Sequence, residues 1–448
     1  MGRIFKILLI CLAVGILFCA CSNKKIEPVV QTENTETVGT KNDENEAAQE
    51  KPGSENVIQE NDDTTIESIP FEYSSYRENE EICIGDNGKT VITEGVLRET
   101  AYATVLDRGG WILGADEDQN ILTMDKETFN IERTFPDGKK EILLENVLQD
   151  QENGIECVAW DGGKYVVWSE SPFANKSYDE TMGANWRVWL ANLETKEMLC
   201  IDEDIGNRPD SDSAAVYLAP TRVEIADGLI SYVSFAKNDN EEVVQSIMLY
   251  EIETGTLTQI GTLDGNSTEN ALGNPCIGNG YIAWSQAYIR PDALYEGYIL
   301  LYNLAEGKTS RLETDENVLN PCIVGDFLVC EGNPNKTFYD SEIVIFYIPT
   351  QTMIRKVTAA YQSYEKISED GVNLGKITSS GNYITWSGDI LPEIIVYDLN
   401  GDQRFVIDSG RFDAPSVTLH KGNLLTWIER VIEPTGTITN SMHYCFLK

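Results

Sequence analysis

Residues able to do chemistry are few and scattered in this chain. Its two histidines, His420 and His443, stand alone near the C-terminal end, so histidine catalysis or a multi-histidine metal site has few players. Seven of the ten cysteines (Cys83, Cys157, Cys200, Cys276, Cys322, Cys330 and Cys445) are spread through the chain without C-x-x-C spacing. They fit neither a zinc site nor a disulfide framework and read as small buried apolar residues. No G-x-S-x-G nucleophile elbow occurs. Asp202-Glu203-Asp204 with Asp210 and Asp212 could offer oxygen ligands to calcium, but the EF-hand spacing and its glycine are absent, and a solvated acidic loop is the expectation. No catalytic residue, metal or cofactor is therefore assigned. What recurs is aromatic side chains in the segments between strands: Phe173, Tyr178, Trp186, Tyr288, Tyr295, Phe338 and Tyr339. Rigid amphipathic rings of this kind anchor protein and sugar recognition.

The elements that would position them are repeats. A tight turn followed by an aromatic strand appears as Gly162-Gly163-Lys164-Tyr165-Val166-Val167-Trp168-Ser169, Gly278-Asn279-Gly280-Tyr281-Ile282-Ala283-Trp284-Ser285 and Gly381-Asn382-Tyr383-Ile384-Thr385-Trp386-Ser387. Weaker copies begin at Gly109, Asp227, Gly325 and Gly422, giving seven copies about 50 residues apart. A strand–hairpin–strand unit follows, as in Ile299–Leu304 turning at Ala305-Glu306-Gly307 and Ile394–Leu399 turning at Asn400-Gly401. A further short strand precedes each copy, as in Asn274-Pro275-Cys276-Ile277 and Asn320-Pro321-Cys322-Ile323. Four strands per repeat without helical periodicity predict an all-β fold, a β-propeller of four-stranded blades. Seven blades are counted, with six or eight left open. The strands at Trp168, Trp284, Trp386, Trp427, Tyr250, Tyr302 and Tyr397 are assigned to the inter-blade core.

The G-x-Y-I-x-W-S strand followed by an I-x-L-Y-D-L strand resembles the TolB-like propeller family over roughly residues 81–448. That resemblance implies architecture and leaves activity open; many members have six blades, so seven is this sequence's own count. The last repeat lacks its outermost strand, and the hairpin around Asp86-Asn87-Gly88 supplies a candidate, Thr90–Thr93, to close it. Ile82–Ile84 is then surplus. In such blades the connections between second and third strands, and those between blades, share one face. Here they are the long ones, so binding is expected on that face and not on the tight turns at Glu306 or Asn400.

Residues 1–20 read as a signal peptide, with Arg3 and Lys6 ahead of an apolar run, Ile7–Ala20, too short to span a bilayer. Phe18-Cys19-Ala20-Cys21-Ser22 resembles the lipobox of bacterial lipoproteins, which implies a lipid on Cys21; Phe18 stands where leucine is usual. Residues 21–80 form an acidic tether: from 22 to 80 there are fifteen acidic and five basic residues, a composition that does not bury enough surface to order itself. The propeller domain then occupies residues 81–448. Across the whole chain 34 Lys+Arg face 73 Asp+Glu, a net charge of −39. That surface repels nucleic acid and anionic head groups.

The expected molecule is a monomeric lipoprotein, lipid-anchored in the cell membrane and facing outside the cytoplasm. Its propeller would bind an extracellular protein or glycan without catalysis. The alternative is a carbohydrate-active enzyme, a glycosidase or lyase, using a carboxylate pair in the central pocket.

Overall fold

In a computed structural model, the described residues are the strands 67–70, 72–73, 81–83 and 92–95 and most of 111–447, chiefly without 173–184, 206–219, 238–242, 265–269, 290–294, 333–341, 359–376, 387–393, 408–416 and 433–437. Thr64–Lys448 forms one compact unit. It is all-β: seven sheets, each built on four antiparallel strands, in sequence order in the first six and closed by an N-terminal strand in the seventh. The blades begin at Trp111, Gly154, Val223, Asn270, Val318, Thr378 and Val417. The first strand of every blade neighbours that of the next, and the ring closes from blade 7 back to blade 1. The seven-bladed propeller expected from the repeats is the observed fold.

Alternation within the strands explains why it holds. Successive side chains point to opposite faces of a blade, and each face is buried against a neighbouring blade. Accordingly, among the described residues the core divides into seven apolar clusters, one at each blade junction. The repeat's tryptophans wedge against the preceding blade: Trp168 packs on blade 1, Trp284 on blade 3 and Trp386 on blade 5, all essentially without exposure. Gly261, on the outer strand of blade 3, makes room for one of them. A Cβ there would lie 2.9 Å from the Trp284 ring.

The tight turns follow from residue chemistry. Asn279 and Gly280 have φ of 47° and 78°, the left-handed pair that a two-residue hairpin needs to match strand twist. They join Cys276–Gly278 to Tyr281–Ile289. In blade 1 the copy beginning at Gly109 proves out of phase with the others. Trp111–Ala115 is the innermost strand of its blade, whereas Tyr165–Ser171 and Tyr281–Ile289 are second strands.

Four further strands are described ahead of the blades: β1 (Glu67–Pro70), β2 (Glu72–Tyr73), β3 (Glu81–Cys83) and β4 (Ile92–Gly95). β4 pairs antiparallel with Tyr444–Leu447 and supplies the missing fourth strand of blade 7, as the truncated last repeat requires. The surplus segment also finds its place. β3 runs parallel to Gln403–Ile407 as a fifth strand of blade 6, β2 does the same beside Thr352–Thr358 of blade 5, and β1 beside Lys308–Glu313 of blade 4. Among the described residues, pairing with the blades thus begins at Glu67, upstream of residue 81.

Candidate functional site: the long-loop rim

The second strand of each blade ends, and the third begins, at the rim that also carries the inter-blade links. On the opposite rim the connections are short turns such as Asp227-Gly228, Asn279-Gly280 and Gly325-Asp326. On the long-loop rim they run to residues 172–184, 333–341, 206–222 and 359–377. The asymmetry expected from the sequence is therefore a property of the fold.

Polar side chains secure this rim. Glu170, at the end of the second strand of blade 2, is fully buried. Its Oε1 accepts hydrogen bonds from the Gln149 amide at 3.0 Å and the Trp168 indole at 3.1 Å. It thereby fastens the link from blade 1 onto blade 2. Its Oε2 accepts none, and burial raises its pKa. Glu156, on the innermost strand, accepts a hydrogen bond from Ser171, and burial raises its pKa as well. Nearby, Arg187 joins Asp150 at 3.3 Å and Glu203 at 3.2 Å. Buried Gln245 likewise accepts the Leu272 amide at 3.1 Å, and Ser169 donates to the Pro220 carbonyl at 2.7 Å. Gln149 to Glu170, Asp150 to Arg187 and Pro220 to Ser169 tie inter-blade links to strands, and Gln245 ties blade 3 to the entry strand of blade 4, so the rim is pinned at its base.

Of the aromatic candidates, Tyr288 is the one whose side chain is both described and partly exposed. It ends the second strand of blade 4, where its hydroxyl accepts from Gln286 at 2.6 Å and meets the Tyr298 hydroxyl at 3.1 Å. Arg311 lies 4.0 Å over the Tyr298 ring, a cation–π arrangement. Burial and the bond to Tyr288 raise the Tyr298 pKa. The result is a rigid polar-aromatic corner of four side chains, with hydroxyl and guanidinium groups suited to polar ligands.

Trp186 requires correction. It lies not in a loop but in the third strand of blade 2, Asn185–Asn192, paired with Asp204. At 1 % exposure it belongs to the junction with blade 3. A ring with no free surface there is packing, not a ligand anchor. Tyr295 begins a strand too, opposite Ile289, and its side chain lies outside the described residues. Phe173, Tyr178, Phe338, Tyr339 and Cys21 also lie outside them. Sequence reading missed Glu170, Gln286 and Tyr298. The signal was available for the first two, since each follows the W-S of the repeat at a strand end.

Among the described residues no group of three or more His, Cys, Asp or Glu is arranged to hold a metal ion. Nor does any helix among them have the length and apolarity to cross a membrane.

No family model matches the chain, and no curated protein matches it. Solved structures do. It resembles a prolyl endopeptidase structure with a TM-score of 0.50 and 14 % identity over 74 % of this chain and 46 % of that one. Dipeptidyl peptidase 4 of Porphyromonas gingivalis gives 0.44 and 13 %, over 78 % of this chain and 56 % of that one. The β-propeller domain of the Trilobed protease from Pyrococcus furiosus gives 0.44 and 10 %, over 75 % of this chain and 95 % of that one. The chain spans about half the length of the first two peptidases. At these identities the likeness is one of fold, and the fold is the β-propeller.

Proposed function

We propose that this is an exported lipoprotein, anchored through a lipid on Cys21, whose propeller binds an extracellular protein or glycan through its long-loop rim. The observation that carries the binding role is the unequal length of the connections: all the long ones emerge at one rim, over a base pinned by Glu170, Ser169 and Gln245. A rigid scaffold bearing long connections on one side is the usual layout of a recognition surface. Tyr288, with Tyr298 and Arg311 behind it, is the anchor best supported by its surroundings. The export and anchoring part rests on Arg3, Lys6, the apolar run Ile7–Ala20 and Ala20-Cys21. A strongly acidic chain needs such an anchor, since its charge repels anionic lipid.

The peptidase likeness does not extend the reading to hydrolysis, because the G-x-S-x-G elbow is absent from this sequence. Two measurements test the proposal. Cys21→Ser should move the protein from the membrane fraction to the soluble fraction; unchanged partitioning refutes the anchor. Tyr288→Ala should weaken partner binding by roughly thirtyfold, the effect of losing about 2 kcal/mol at an anchor, with the melting temperature nearly unchanged. Asn400→Ala, on the other rim, should leave binding intact. The converse result refutes the assignment of the face.

A further inference from the structure

The outer rim carries a second message, separate from the long-loop rim. A four-stranded blade ends in an open edge, which presents unpaired N–H and C=O groups to any extended chain. Blades 4, 5 and 6 have their edges covered by β1, β2 and β3, whereas among the described residues blades 1, 2 and 3 end at their fourth strands, that of blade 2 being Met198–Ile205. Charge sorts the covered edges from this open one. The covering strands contain Glu67, Glu72 and Glu81, and the strands they cover contain Lys308 and Arg311, Arg355 and Lys356, and Arg404. Glu81 is the direct register partner of Arg404. The open edge of blade 2 is the reverse: Glu194, Glu197, Asp202, Glu203 and Asp204 accompany a single Lys196 from the preceding turn to the strand's end, Glu203 being paired with Arg187 of the neighbouring strand and Asp202 hydrogen-bonded by Tyr232.

The geometry of the open edge matches that of a covered one. In blade 5 the fourth strand bulges between the partners of Ile345 and Phe346, and beyond the bulge Thr352 and Met353 receive Glu72 and Tyr73. In blade 2 the bulge falls between Val188 and Trp189, which puts Leu199 and Cys200 at the equivalent places. Here Met198 is 37 % exposed and Leu199 52 %. With Ile142 of blade 1, also on an outer strand, they are the large exposed hydrophobics among the described residues.

We infer that the outer edge of blade 2 is a docking site for an extended segment of another protein, one carrying Lys or Arg between apolar side chains. This segment adds as a parallel strand along Met198–Cys200. Backbone groups supply the pairing, Met198 and Leu199 the apolar contact, and the exposed carboxylates of Glu194 and Glu197 the selection. A second copy's N-terminal strands are excluded by the same rule that places them on blades 4 to 6, because they are acidic.

The test uses the full chain and two labelled peptides, Lys-Val-Lys-Val-Lys-Val and Glu-Val-Glu-Val-Glu-Val, followed by fluorescence anisotropy. The lysine peptide should bind saturably and more weakly as salt rises, and the glutamate peptide at least tenfold more weakly. Leu199→Lys should lose at least tenfold for the lysine peptide, while Ala305→Lys, the same charge change at an exposed turn, should not. Hydrogen exchange on the unaltered protein gives an independent reading: the lysine peptide should protect the amides of Met198–Cys200. Equal binding by wild type and Leu199→Lys, equal loss in Ala305→Lys, or protection confined to other segments overturns the inference. So does self-association that Leu199→Lys abolishes, which would assign the edge to a second copy. None of these outcomes bears on the long-loop rim.

Discussion

The Lys421 carbonyl accepts a hydrogen bond from the Ala115 amide at 2.9 Å, joining the last blade to the first at the inner ring. The two segments approach so closely that a Cβ at Gly114 would lie 2.7 Å from that carbonyl, and one at Gly422 would run into the Ala115 carbonyl. Gly422 also has φ of +74°, whereas Gly280 has a similar φ of +78° with open space around it. Gly280→Ala should therefore cost about 1–2 kcal/mol, the ordinary left-handed penalty. Gly422→Ala should cost at least about twice as much, because it also wedges the closing seam. Urea unfolding of both variants checks this, and equal losses would show that the seam tolerates separation.

Trp186 offers a second stability test. Its burial at the junction of blades 2 and 3 places Trp186→Ala in the range of large core truncations, about 3–5 kcal/mol. A melting temperature close to that of the wild type would return the residue to the surface.

The pH dependence should carry the signature of buried carboxyls. Burial raises the Glu170 and Glu156 pKa values above the unfolded value of about 4.3. Between the unfolded and folded values the native state keeps a proton that the unfolded chain has released. Their contribution therefore favours folding in acid and is lost as pH rises through the folded values. Glu170→Gln should thus gain stability relative to wild type as pH increases from about 4 to 7. A difference that shrinks over that range would mean Glu170 is stabilised as the anion.

The cysteines should be inert in the native protein. Burial pushes the Cys157 and Cys200 thiols up to about 11, and Cys276 and Cys330 well above the ordinary thiol value. At pH 8 a thiol of pKa about 11 is roughly one part in a thousand thiolate. Mass spectrometry after brief iodoacetamide treatment should find these four unmodified until the protein is unfolded. Rapid native modification of Cys157 would show that its surroundings open.

The repeats made the propeller legible because its signals are local: a left-handed turn, an alternating strand and a tryptophan at a fixed offset. Closure by β4 was legible for a similar reason, since a repeat lacking one strand demands another. The placement of β1 to β3 was not. A parallel strand on a blade's outer edge leaves no hairpin in the sequence, and the match of Glu81 to Arg404 joins residues over three hundred positions apart. Trp111 misled because a glycine turn before an aromatic strand looks the same whether the strand is first or second in its blade. Trp186 misled because a strand's start beside a long connection is set by pairing with Asp204, a distant partner. At the rim, Tyr288 was visible as an aromatic, but its hydrogen-bonded partner Tyr298 sits ten residues away across a hairpin.

The central claim, that the long-loop rim is the functional face, is tested most directly by site-specific photo-cross-linking in intact cells. A photoreactive phenylalanine analogue replaces Tyr288 on that rim, or Glu306 or Asn400 on the tight-turn rim. Discrete, saturable adducts from position 288 and none from positions 306 and 400 are the expected result. Adducts from 306 or 400 with none from 288 would contradict the account.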